Sequence, residues 1–171
     1  MTQINLSFFF IIALLFYYTL IWGIPCSMGS IYRNLAQTHK SFLGFYLGSA
    51  VLIIIFGWNV LLHAPVHSSP ILPYFIIGSI LVRFLTSISR GNCNLMYKIA
   101  VVCTFVCSQG WLLNQKPMLC LIWTPIVISA LLIKLLKNNA MTVLFLERRY
   151  FWIEFITFLQ VYWASKLLMV K

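Results

Sequence analysis

Residues 42–62 read FLGFYLGSAVLIIIFGWNVLL, a stretch with no formal charge and the roughly 20 residues a helix needs to cross a bilayer core. Arg33, His39 and Lys40 precede it, while the segment that follows, residues 63–70, reads His-Ala-Pro-Val-His-Ser-Ser-Pro and carries none of the twelve Lys and Arg. Cations at one end of an apolar run and none at the other mark the side from which a helix inserts. The same alternation repeats along the chain. An apolar run at 6–24 stops at Pro25; another at 71–88 is broken only by Arg83; a third at 95–113 carries Lys98 one turn inside its start. Pro117 opens a run at 118–136 with Pro125 in its middle, and a last run at 150–170 contains Glu154 and Gln160.

Composition agrees with this pattern. Of 171 residues, 62% are hydrophobic and 8% charged, with a mean hydropathy of +0.96, whereas a soluble domain carries about a quarter charged residues. Glu147 and Glu154 are the only acids, so the net charge is +10. Because the cations fall in the connections between apolar runs, their natural partners are anionic lipid headgroups or acidic subunits of a complex, not nucleic acid.

The expected architecture is therefore all-α: a polytopic transmembrane bundle, one domain over residues 1–171, with six spans at about 6–24, 42–62, 71–88, 95–113, 118–136 and 150–170. Arg33, Lys40, Arg83, Arg90, Lys98, Lys134, Lys137, Arg148 and Arg149 then share one face, against Lys116, Lys166 and Lys171 on the other. The face with nine is cytoplasmic or its organellar equivalent, in a bacterial inner membrane or an organellar or ER membrane, and both termini lie opposite. Residues 140–146 are read as an interfacial segment ending in Glu147-Arg148-Arg149. The alternative makes the final 30 residues a tilted or re-entrant element and leaves five spans. Residues 1–24 lack an N-terminal cation and a small-residue cleavage pattern, so the first run is read as a retained helix rather than a signal peptide.

Few residues offer chemistry. Glu154 is the only acid inside an apolar run, where an ionisable group is costly. It is a candidate for carrying a proton, binding a cation or pairing with a base on another helix; the plainer reading lets it reach interfacial water near Arg148 and Arg149. His63 and His67 have helical ligand spacing, but Pro65 between them defeats the helix, and His39 lies about 36 Å of helix from His63, too far to share an iron. Cys103 and Cys107 sit four apart without further ligands, so they are read as small apolar residues, as are most of Cys26, Cys93 and Cys120. His39 and Cys93 share the inner face without a motif around either.

No metal or cofactor site is expected, and no catalytic residue. Gly44 and Gly48 form a small-residue face suited to helix packing. Arg33, Lys40, Arg90, Lys98, Lys134, Lys137, Arg148 and Arg149 are the candidate contacts for anionic lipid or a partner. The functional expectation is a non-catalytic integral-membrane subunit or assembly factor of a larger complex. A small carrier or flippase for a lipid or anionic solute comes second, and a membrane-embedded lipid-modifying enzyme third, since no paired carboxylates, metal cage or nucleophile with base is present.

Overall fold

The computed structural model describes residues 2–62, 71–88, 94–135 and 139–169, and all regular structure among them is helical. Helix α1 (Thr2–Trp22) ends at Gly23, whose φ of +76° carries the chain into the left-handed region while its N–H reaches the Thr19 carbonyl at 3.0 Å. Helix α2 (Met28–Thr38) follows, then α3 (Lys40–Leu62), α4 (Ile71–Ile88) and α5 (Asn94–Gln115). A 3-10 turn (Pro117–Ile122) leads into α6 (Trp123–Leu135); the three-residue α7 (Asn139–Met141) and a π-helical stretch (Thr142–Glu147) precede α8 (Arg149–Met169).

The long helices fall where the apolar runs place them, and two segments depart from expectation. Residues 26–40, expected as a connection, contain α2. Its start is fixed by a reciprocal pair: Ser30 N–H donates to Ser27 Oγ and Ser27 N–H to Ser30 Oγ, each at 3.2 Å. Ile31 and Leu35, four apart, are buried while Arg33 between them is exposed, so a short amphipathic helix hides in a segment too polar to be read as a span. The second departure lies at 118–136, where Pro117, unable to donate a backbone hydrogen bond, opens six residues of 3-10 turn and defers the α-helix to Trp123.

Packing is carried by stripes. On α1, Phe8, Ile11, Leu15 and Tyr18 are buried, whereas Phe9, Phe16 and Leu20 stand exposed. One cluster joins Phe8 and Ile76 to Trp111 and Leu112 of α5 and Val161, Tyr162 and Ala164 of α8; Phe8 stacks on Tyr162 with ring centroids 3.6 Å apart. A second joins Ile11, Leu15 and Tyr18 to Ile31, Leu35 and Phe151. Many large apolar side chains are also exposed, and the polar side chains of Thr104, Ser108, Glu154, Thr157, Gln160 and Ser165 are buried beside the apolar clusters.

By length and composition, two segments among the described residues can cross a membrane, Leu95–Gln115 and Pro117–Leu135; Phe8–Trp22 and Tyr74–Arg83 are shorter apolar helices. The second segment has no buried residue, and α6 packs mainly on the 3-10 turn before it and the π-helical stretch after it.

Candidate functional site

Four helices converge on Glu154. Position 154 lies on the buried stripe of α8, between Phe151 and Thr157, and the residue is 3% exposed. Its Oε1 accepts from Arg83 Nη2 of α4 at 2.8 Å and from the Tyr97 hydroxyl of α5; its Oε2 accepts from Met28 N–H of α2 at 2.7 Å. Tyr97 is itself held, because Gly29 N–H donates to its hydroxyl oxygen at 3.0 Å.

This arrangement follows from how a helix begins. The first N–H groups of α2 have no partner within the helix. Met28 gives its N–H to Glu154, Gly29 to Tyr97 and Ser30 to Ser27. The positive end of the helix dipole therefore faces the carboxylate, adding to the attraction of the Arg83 guanidinium. Glycine is required at position 29, since a Cβ there would lie 2.7 Å from Tyr97 Cε2 and 3.0 Å from Cζ.

Charge balances at the clamp. One carboxylate meets one guanidinium, of side-chain exposures 0% and 16%, and both carboxylate oxygens accept. A buried ion pair satisfied in this way costs much less than either charge alone. The result is a clamp that fastens α2 to α4, α5 and α8. Among the described residues no group of three or more His, Cys, Asp or Glu could hold a metal ion.

A second polar junction lies further along the same two helices. Gln160 Oε1 accepts from Gln109 Nε2 at 2.8 Å and from Trp123 Nε1 at 2.9 Å, while its Nε2 donates to the Leu119 carbonyl at 2.7 Å. One side chain thus ties α8 to α5, to the 3-10 turn and to the first residue of α6.

The base that meets Glu154 comes from α4 and not from the adjacent Arg148 or Arg149. Arg149 is exposed, its guanidinium 5.4 Å from the Tyr150 ring. Arg33, Lys40 and Lys134 are also exposed, and Lys98 and Arg148 are half-buried; none of these five joins the clamp. Arg90, Lys137, His63, His67 and Cys93 lie outside the described residues. His39 packs against Trp22, ring centroids 4.7 Å apart. A Cβ added at Gly44 or Gly48 would meet nothing within 4 Å, whereas one at Gly29 would meet the Tyr97 ring and one at Gly57 would lie 3.1 Å from Ile77.

Neither Arg83 nor Tyr97 is among the candidate site residues that the sequence suggests. For Arg83 a signal existed, as the one cation well inside the run at 71–88. Tyr97 gave none, since an aromatic near the end of an apolar run reads as an interfacial anchor. Comparison of the chain with known proteins gives no match to a protein family, a curated protein or a solved structure.

Proposed function

We propose that the chain is a non-catalytic integral-membrane subunit, built to pack against another membrane protein and to assist its assembly. The supporting observation is α6. This helix is apolar throughout most of its length, none of its residues is buried, and Val127, Leu131 and Leu135 are 54%, 56% and 76% exposed. It meets the body of the bundle through Trp123, held by Gln160 and edge-on to Phe105 at 4.9 Å. Lipid gives no hydrophobic drive for helices to associate, so packing between surfaces decides which neighbours they take. A helix that packs mainly on the segments before and after it presents the face carrying Val127, Leu131 and Leu135 to a partner.

The clamp favours the same reading. Glu154 is the only acid within an apolar run, and its oxygens are engaged by groups of its own chain, which leaves no carboxylate set for acid–base work. The clamp also suits a six-span threading. It joins α2, the C-terminal part of α4 and the N-terminal parts of α5 and α8, four regions that this threading puts on one side, with the basic residues toward anionic headgroups.

Purification in native lipid nanodiscs tests the proposal. A second protein in fixed proportion is the expected result, and a homogeneous monomer carrying lipid alone would overturn it. A carrier for a lipid or anionic solute is the second reading. It rests on an apolar groove of about 540 Å³ between α4 and α5, lined by Tyr74, Phe75, Gly78, Val82, Met96 and Ile99 among others. Neither Arg83, Tyr97 nor Glu154 lines that groove, so transport with Glu154→Gln unimpaired would separate any carriage from the carboxylate.

A further inference from the structure

Along the seam of α5 and α8, around the junction at Gln160 and on its side toward Glu154, are polar atoms that nothing among the described residues satisfies. Ser108 is fully buried, Thr157 is 4% exposed and Trp111 1%, yet Ser108 Oγ, Thr157 Oγ1, Trp111 Nε1 and Gln109 Oε1 have no hydrogen-bond partner. Thr157 stands three residues from Glu154 and three from Gln160, about 4.5 Å along the axis from each. Ser108 adjoins Gln109, which bonds Gln160.

A buried hydroxyl on a helix has a local remedy, donation to the carbonyl four residues back. Thr104 takes it, bonding Ala100 at 2.7 Å, and Ser165 does the same with Val161 at 2.7 Å. Ser108 and Thr157 do not. Nor does turning the Gln109 amide help, because its carbonyl oxygen would then oppose Gln160 Oε1, which already accepts from Trp123. The unmatched set holds a pure donor in Trp111, a pure acceptor in Gln109 and two hydroxyls that can do either. In a water-free surrounding each would carry the full desolvation penalty of an unpaired polar group.

We infer that the α5–α8 seam binds ordered water, held by Ser108 and Thr157 and bridging toward Trp111 Nε1 and Gln109 Oε1. Water is the ligand whose chemistry matches, since it donates and accepts at once and is held where two to four polar partners converge. The seam is then a hydrated interior on a helix apolar enough to span a membrane. This inference does not depend on the proposed function.

Water-edited solid-state NMR on the full-length chain in lipid bilayers tests it. Magnetisation starting on water should reach Ser108 and Thr157 on the timescale of exposed Thr38, well before buried Ala164. Build-up at Ser108 and Thr157 as slow as at Ala164 would overturn the inference in the native chain, whatever the variants do. In the Ser108→Ala, Thr157→Val double variant, transfer to the Trp111 indole N–H should slow, while Thr157→Ser alone should preserve it. Unchanged transfer to Trp111 in the double variant would show that the hydroxyls hold no water.

Discussion

The Glu154 carboxylate lies 2.8 Å from the Arg83 guanidinium although the two residues are 71 positions apart and no part of the Glu154 side chain is exposed. Removing either group leaves the other charge buried, and breaking such a pair costs about 3–5 kcal/mol. Glu154→Ala should therefore lower the thermal unfolding midpoint in detergent sharply, and so should Arg83→Met. The Arg83→Met, Glu154→Leu double variant should recover part of the loss, because no unpaired charge remains although Met28 N–H and the Tyr97 hydroxyl lose their acceptor. A double variant no better than the worse single one would contradict the clamp.

Gly29 is bound to Tyr97 by shape as well as by hydrogen bonding. Gly29→Ala should destabilise by about 1–3 kcal/mol, the ordinary penalty for overpacking. Since the close atoms are the ring carbons Cε2, Cζ and Cδ2, Tyr97→Phe should not relieve the clash, whereas Tyr97→Leu should relieve part of it. Unfolding midpoints of the three combinations check this.

Gln160→Leu removes three hydrogen bonds at once, those with Gln109, Trp123 and the Leu119 carbonyl. Each stranded group costs about 1–3 kcal/mol when buried. Amide hydrogen exchange over residues 118–123 should rise in this variant while exchange in α2 stays as in the parent chain. Equal protection of the 3-10 turn in both proteins would contradict its anchoring by Gln160.

At Gly23 the backbone is left-handed, with φ +76° and open space around the missing Cβ. Gly23→Ala should cost about 1 kcal/mol from conformation alone, and a calorimetric or chemical-denaturation comparison should show no larger change.

The six-span threading makes a labelling prediction. In a cysteine-free background, single cysteines at Arg33, Lys134 and Arg149 should react with an impermeant reagent from one side of sealed vesicles, and those at Lys116 and Lys166 from the other. Arg33 and Lys134 labelling from opposite sides would break the threading.

Much of the helical skeleton was legible because its cause is local. Apolar runs such as 42–62, free of charge, and 71–88, with Arg83 alone inside it, each hold one helix, and the bounds shift by only a few residues. Helix α2 was hidden because its start depends on serines bonding one another and on a carboxylate 126 positions away. The site was half legible: the rarity of an acid in an apolar run pointed to Glu154, but its partner is chosen by how α4 and α5 lie against α8, which periodicity does not encode. For the same reason Gly44 and Gly48, whose spacing suggested close helix contact, face open space, while Gly29, which has no such spacing, meets Tyr97.

The proposed role is tested most directly from the exposed face of α6. A photoreactive amino acid at Leu131, 56% exposed, should on irradiation in native membranes join the chain to one distinct protein, with a second site at Val127 capturing the same product. Adducts with lipid alone from both positions would contradict the account.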